Sequence, residues 1–452
     1  MIETVKNPPS TGSAPAKKTA CRPYLESFEQ FEAEFAGGDP PWVQSIRKAG
    51  VSHFAELGLP TTQDEEWRFT NIAPILKLPF KPIFEPSGQR PSIAKFTIGG
   101  LKCARLVFVD GRYSAELSSP LPETGGVRTA SLDSALATES GLIEQHLARH
   151  ARCDDNPFVG LNTAFFQDGA FIRIPDGRIV EEPIHLLFIS TGRETGATTH
   201  PRNLIIAGKN SQATVIENYV STVDTAYFTN AVTEIVLEEN AVLEHCKLQA
   251  ESLSAYHIAT IQAYQGRGSN WLSHSISTGA KIARNNIRTV LDAEGIECVL
   301  NGLYLGVVDQ LVDHHTVVDH AKPRCNSHEF YNGILDGKSK GVFNGKIFVR
   351  KDAQKTDAKQ TSRNLLLSEE ATVDTKPQLE IFADDVKCTH GATVGQLNEE
   401  EIFYLRSRGI GADRARRMLI HAFASDIINR IKLEPVRDEL EKLLTSRLDE
   451  QG

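Results

Sequence analysis

The residues best placed to do chemistry lie in one run near the end of the chain, Asp384-Asp-Val-Lys-Cys388-Thr-His390-Gly-Ala-Thr-Val-Gly395. Residues two apart in a strand point to the same face, so Cys388 and His390 would offer a thiolate and an imidazole to one ion. Sulfur with nitrogen suits iron or zinc. In the competing reading Cys388 is a small buried hydrophobe and His390 an ordinary hydrogen-bonding side chain. A second run, Asp313-His314-His315-Thr-Val-Val-Asp319-His320, is followed by Cys325 and His328. His314 and His320 share a parity there and His315 faces the other way. A ladder of polar side chains between stacked coils accounts for this run better than a metal site does.

The rest of the inventory narrows the chemistry. Seven cysteines, at 21, 103, 153, 246, 298, 325 and 388, are scattered without a C-x-x-C pair. That pattern fits neither a disulfide framework nor a zinc ribbon or ferredoxin-like cluster binder. An iron–sulfur cluster takes about four protein ligands, and this sequence places only two together. Either the site is something else, or another chain completes it. Gly337-Lys-Ser339 resembles the end of a phosphate loop, but the glycine required five positions earlier is Asn332. The stretch that follows is not helical, so ATP use by this chain is not indicated. The net charge of −9 speaks against a phosphate-backbone binder. No apolar run reaches the roughly 18 residues of a membrane span. The polar stretch Met1–Ala20 reads as a disordered tail rather than a secretory signal, and a cytoplasmic location is expected.

The elements that must position these residues follow from periodicity. Leu25, Phe28, Phe31 and Phe35 mark one helix face, ended by Gly37-Gly38. Asp39 is placed to cap a second helix carrying Trp42, Ile46 and Phe54. A polar loop, Gly58 to Thr70, holds Trp67 and Phe69, which should pin it to the body. Between 91 and 167 a strand is expected at Ala104–Val109 and a helix at Ala130–Arg149. From about Gly169 to Val394, short Val/Ile/Leu/Thr runs alternate with turn residues. The turns at Gly208-Lys-Asn210, Glu238-Glu-Asn240, Gly266-Arg-Gly268 and Ala293-Glu-Gly295 recur about every 28 residues, a solenoid period. Each precedes a strand with one apolar face, so a parallel β-helix is expected, with an antiparallel sandwich as the alternative. Beyond it, Asn398 and Glu401 suggest a capping box, Gly409 a left-handed stop and Asp413 the cap of a further helix. That helix carries an apolar stripe, Met418, Leu419, Ala422, Phe423, Ile427, Ile428 and Ile431, and Pro435 should end it. A last helix carries Val436, Leu440, Leu443, Leu444 and Leu448. This apolar surface exceeds what two helices bury against each other, and either the solenoid or a partner must cover it. The expected division is a tail at 1–20, a helical and α/β region at 21–167, a β-helix at 168–395 and a helical region at 396–452.

Several stretches carry a family resemblance: Gly58-Leu-Pro-Thr-Thr-Gln-Asp-Glu-Glu-Trp67-Arg-Phe-Thr, Phe343-Asn-Gly-Lys-Ile-Phe-Val-Arg350, Gln360-Thr-Ser-Arg-Asn-Leu-Leu-Leu-Ser368, Lys376-Pro-Gln-Leu-Glu-Ile381 and the Cys388–His390 run. Over roughly residues 50–435 the chain resembles the SufB/SufD family of iron–sulfur cluster assembly proteins, and Cys-Thr-His-Gly-Ala-Thr resembles its SufD branch. The resemblance implies a right-handed parallel β-helix flanked by N- and C-terminal helical regions. It implies a non-catalytic scaffold subunit of the SufBCD complex that pairs with SufB through the end of the solenoid and binds the SufC ATPase through its C-terminal helices. His390 would then ligate iron or a nascent Fe–S cluster shared with SufB, with Cys388 as a secondary ligand. The helix from Asp413 to Ile431, through Met418, Leu419, Ala422, Phe423 and Ile427, would dock SufC. Reduced flavin is linked to such complexes, without a site on this chain. A homodimer through the exposed β edge stands open for the chain without SufB. Two other readings compete: a β-helix carbohydrate-active enzyme of the exported type, and a homo-oligomeric solenoid with a private zinc at Cys388 and His390.

Overall fold

From Asn210 to Lys355 the chain turns the same corner once per coil. Asn210, Asn240, Gly268, Gly295, Arg324 and Lys355 all hold left-handed backbone, a conformation Gly and Asn adopt at least cost. Each N–H donates to a carbonyl one coil further on, Asn210 to Glu239, Asn240 to Arg267 and Gly268 to Glu294, with the stack ending at Lys355 on Asp385. Asn240 Nδ2 also donates to Asn210 Oδ1 at 3.0 Å. At the third corner a side chain has no room, because a Cβ on Gly268 would lie 2.3 Å from Asn240 Oδ1. In this computed structural model, which describes residues 14–85, 88, 90–122 and 125–449, the corners join the two sheets of a parallel β-solenoid of about eight turns. Phe228 aligns with Tyr256, Tyr256 with Ile282 and Ile282 with Leu311, so the repeat varies by a few residues around the expected 28.

Sheet A runs from Ala170–Ile174 through Arg202–Ala207, Phe228–Leu237, Tyr256–Gln265, Ile282–Leu291, Leu311–His320 and Lys340–Val349 to Thr372–Ile381. Sheet B runs from Ala104–Val109 through Ile184–Ser190, Gln212–Ser221, Val242–Ala250, Asn270–Ser277, Glu297–Gly306, Asn326–Leu335 and Asp357–Leu366 to Lys387–Gly395. All these pairings are parallel, which replaces the antiparallel alternative; among the described residues antiparallel pairing is confined to the first coils, where Arg112–Tyr113 and Arg128–Ser131 join them and Arg105 bridges Ser119. The lumen is filled from both sheets, with Val215, Leu243, Trp271 and Leu300 facing Ile235, Ile261 and Ile287.

Helices cover the outer faces. On sheet A, Phe228, Tyr256, Ile258 and Ile282 pack against Tyr24, Phe28, Phe54 and Phe158. Burial of this kind stabilises by about 25 cal/mol per Å² of apolar surface. The Pro157–Phe165 helix is buried at every residue and is capped by Asn156 Oδ1, which accepts from the N–H groups of Phe158 and Val159. On sheet B, Ile216, Cys246, Leu248, Ile276 and Leu303 pack against Ile420, Ala424, Ile427, Ile428 and Val436 of the C-terminal segment.

Several local expectations change. The helix Ala14–Glu34 opens inside the stretch expected to be a tail, whose residues 1–13 lie outside the described residues. Asp39 does not cap its helix: Pro40 is the N-cap residue, and Asp39 Oδ2 accepts from Arg47 Nε at 2.7 Å. The expected Ala130–Arg149 helix is a strand ending at Ser131 and two short helices, Leu132–Thr138 and Ser140–His146. Asn398 caps through the second helical N–H, that of Glu400, rather than the third. Gly411, not Asp413, precedes the Ala412–Ile428 helix, so Asp413 sits in the first turn, where its carboxylate is stabilised by the positive end of the helix dipole. That helix ends at Ile428, ahead of Pro435, which instead lies in the first turn of Glu434–Asp449. Gly409 has the positive φ expected of a stop, at 84°.

Candidate metal-binding end of the solenoid

Lys387–Gly395 is the last strand of sheet B, paired only on its inner side with Asp357–Leu366. Cys388 aligns with Ala358 and His390 with Gln360, both buried. The two candidate ligands therefore share the parity of the lumen-facing side chains, as their spacing predicts, and sit where the lumen opens at the end of the molecule. Cys388 is half-buried beside Leu379 and Val386 over the Ile347–Val349–Ala358 cluster, and burial, helped by the Asp357 charge, pushes its thiol up. His390 is exposed. The same coil exposes Ile381, Phe382 and Val394, and its two strands form the unpaired edges of both sheets.

One coil inward, the His390 column continues as Gln360 and then Glu329. The Gln360 amide lies near enough to the Glu329 carboxyl to favour its charged form, but among the described residues neither end of that amide nor Glu329 Oε1 has a partner in full hydrogen-bond geometry. Glu329 Oε2 accepts from Thr316 Oγ1 at 2.5 Å, and burial raises its carboxyl to about 7. Further in, the lumen holds charge rather than the purely apolar face expected of each strand. Glu217 accepts from Thr233 and Tyr219 hydroxyls and contacts His245 Nε2 at 2.9 Å. Lys247 donates to Asn285 Oδ1 at 2.6 Å and to His257 Nε2 at 2.8 Å. That geometry leaves the His257 proton on Nδ1, 2.7 Å from Glu251 Oε2. Burial lowers Lys247 to about 8.

The second histidine run divides as its parity requires. His314 lies in the lumen against the rings of Tyr304 and Tyr331, and His320 Nε2 contacts Ser327 Oγ at 2.8 Å. Burial lowers both to about 3, so both are neutral packing residues. Cys325 is buried with its thiol on the Ala293 carbonyl, and His328 lies outside near Asp357. His315 faces outward, its Nε2 3.0 Å from Asp313 Oδ1. There it helps to seat the Gly58–Thr70 loop. The Arg284 guanidinium stacks 3.7 Å from the Trp67 ring centroid and pairs with Asp313 at 2.9 Å, while Thr70 Oγ1 bonds Asp313 Oδ2. Lys376 reaches Glu65 at 2.6 Å, tying the loop to the last strand of sheet A.

The stripe on the Ala412–Ile428 helix splits in two. Ile427 is fully buried against sheet B and belongs to the core, unavailable to a partner in this arrangement. Phe423 packs at the edge of that core and Leu419 is half-buried, whereas Met418 and Ala422 are exposed. Phe403 and Tyr404 on the preceding helix are exposed as well, at 71% and 57%. One cluster escaped the sequence reading. Glu244, Cys246 and His274 gather on the outer face of sheet B, beneath the C-terminal segment. Cys246 and His274 are 28 residues apart and aligned in the ladder; a search at the coil period, rather than at i+2, finds them.

The N-terminal part, residues 18–186, matches the SufBD protein N-terminal region, and residues 188–423 match the SUF system FeS cluster assembly, SufBD core domain. An iron–sulfur cluster assembly SufBD family protein of Synechocystis is 33% identical, over 92% of this chain and 93% of its own length. The iron–sulfur cluster assembly protein SufD of Escherichia coli is 35% identical over 92% and 95%, and the chloroplastic ABCI7 of Arabidopsis thaliana 31% over 88% and 84%.

Proposed function

Since the chain belongs to the SufB/SufD family of SUF-system iron–sulfur cluster assembly proteins, we propose that it is the SufD-type scaffold subunit, which supplies part of a metal site that a SufB-type solenoid completes. The observation that carries this reading is the open last coil. Cys388 and His390 stand on the lumen side of a strand whose outer edge is unpaired, amid exposed Ile381, Phe382 and Val394. An unpaired edge of this kind accepts another strand through its backbone groups, and two ligands are about half of what a cluster takes.

A partner solenoid stacked on this edge shields the apolar groups and brings its own ligands to the lumen mouth. Iron or the nascent cluster is the cargo held there, His390 the principal ligand from this side and Cys388 the secondary one. The exposed side of the C-terminal helices, with Phe403, Tyr404, Met418 and Ala422, receives the SufC-type ATPase, whose nucleotide cycle drives rearrangement of the pair. No catalytic group is assigned to this chain, and reduced flavin belongs to the assembled complex. The test is co-expression with the SufB- and SufC-type partners. His390→Ala should leave the complex intact and reduce cluster-dependent maturation of client proteins at least tenfold. Normal maturation by an intact His390→Ala complex refutes the ligand role, and a chain that retains a cluster by itself refutes the shared site.

A further inference from the structure

The geometry points to a second metal site, in which Glu244, Cys246 and His274 bind one divalent ion of the zinc or ferrous class and fasten the C-terminal helices to the solenoid. This does not rest on the shared-site reading, because Cys388 and His390 stand at the mouth of the lumen and these three residues on the outer face of sheet B. The ligand atoms of the three all lie within 4.8 Å of one another, and His274 Nε2 is 3.5 Å from Glu244 Oε1. Two ligands of a tetrahedral ion with bonds of 2.0–2.3 Å stand about 3.5 Å apart. One pair already has that spacing, and small side-chain rotations close the others.

The setting favours an ion over three separate polar groups. Cys246 and His274 are fully buried and Glu244 nearly so. A thiolate and a carboxylate balance a divalent cation, so the loaded site is neutral with a neutral imidazole and the thiol proton released to solvent. His274 Nε2 is buried against the Glu244 carboxylate at 3.5 Å, a contact too long for a well-formed hydrogen bond, and Asn301 Oδ1 is buried without a hydrogen bond. Asn301 aligns with His274 on the next coil, and its Nδ2 lies 3.4 Å from His274 Nδ1. The two ends of an amide are interchangeable in shape. Turned over, Asn301 Oδ1 accepts from His274 Nδ1–H, which pairs that oxygen and leaves the Nε2 lone pair facing Glu244 and Cys246. A carbonyl behind the distal nitrogen is the usual support of a metal-bound histidine. The lid is the chain between the two last helices: the Lys432 N–H donates to Glu244 Oε1 at 3.0 Å, and Ile428 and Ile431 pack in the same cluster as Cys246.

Cobalt(II) is the probe, titrated into the full-length, chelator-treated chain. One equivalent should give a thiolate-to-cobalt charge-transfer band together with the intense visible bands of a four-coordinate ion. Cys246→Ser should abolish the charge-transfer band, His274→Gln should weaken binding at least tenfold, and Asn301→Ala should weaken it by about 10–100-fold. The Cys388→Ser/His390→Ala double variant should keep the band unchanged. Zinc should slow proteolysis between Ile428 and Glu434 in the parent chain and leave His274→Gln unprotected. If Cys246→Ser does not fold, His274→Gln with a parental circular dichroism spectrum decides. The site is overturned if no stoichiometric thiolate band forms, if the band survives loss of Cys246 or His274, or if it disappears with Cys388 and His390.

Discussion

Glu329→Gln should flatten the pH dependence of stability, and the amount follows from the burial of that carboxyl. In the folded chain burial raises it from 4.5 to about 7. A folded-state value above the unfolded one means that the native state binds the proton more tightly. Its stabilising contribution is therefore complete below about pH 4.5 and is lost as pH rises through 7. At 1.36 kcal/mol per pH unit, integration from pH 5 to pH 8 gives a loss of about 2.5 kcal/mol from this group. Glutamine keeps an acceptor for the Thr316 hydroxyl and carries no titrating proton, so the variant should lose that much less over the same interval. Urea unfolding of both chains at pH 5, 6.5 and 8 measures the difference, and other groups that titrate in the window cancel between them. Parallel losses in parent and variant would show that the Glu329 carboxyl titrates as it does in water and that this stretch of the lumen is wet.

Three further outcomes test the frame around the site. Arg202 and Glu234 form a fully buried ion pair, with Glu234 also accepting from the N–H groups of Ala148, His150 and Ala151; Arg202→Met should cost about 3–5 kcal/mol by stranding that carboxylate, read as a lowered unfolding midpoint. Ile427→Ala should cost about 2–5 kcal/mol, whereas Met418→Glu, on the exposed side of the same helix, should leave stability within about 0.5 kcal/mol and reduce co-purification of the ATPase; a stability loss for Met418→Glu would place that side chain in the core. Contacts with His315 and Arg284 hold Glu66 and Asp313 at about 2, below their ordinary values of 4.5 and 3.8, so the seating of the Trp67 loop is intact above about pH 4.5 and should loosen as pH falls toward 2, seen as a rise in Trp67 solvent exposure by fluorescence quenching.

Much of the fold was legible because a solenoid repeats its grammar. Asn210, Asn240, Gly268 and Gly295 hold the same left-handed corner, and Gly and Asn announce it. At Arg324 and Lys355 the same backbone persists under residues that announce nothing, so the period fades from the sequence while the stacked backbone bonds carry it on. The parity of Cys388 with His390, and of His314 with His320, was readable because a strand has only two faces. The burial of Ile427 beside the exposure of Met418 was not, since both fall on one apolar stripe and only the packed sheet distinguishes them. Asp39 and Asp413 misled for another reason. A carboxylate near a helix start serves equally as a cap, an ion-pair partner or a first-turn charge, and the choice depends on Arg47 in one case and the placement of Gly411 in the other.

The polar lumen explains why the last coil differs from those behind it. Around Lys247 the buried groups hydrogen-bond to one another between coils: the ammonium spans His257 and Asn285, and Glu217 gathers two hydroxyls and His245. Toward the open end the pairing continues through Tyr304, Asn364 and Ser362. In the column that ends at His390 the contacts are looser: the Gln360 amide approaches the Glu329 carboxyl, but neither it nor Glu329 Oε1 has a partner in full hydrogen-bond geometry, and an unpaired buried polar atom costs about 1–3 kcal/mol. Leucine at either position would remove that cost in an isolated chain. Polar side chains in the column that ends at His390 are stabilising only if something further, such as water, an ion or the side chains of a stacked coil, reaches them from the open mouth. The column thus ties the interior of the solenoid to its open mouth, where His390 is exposed.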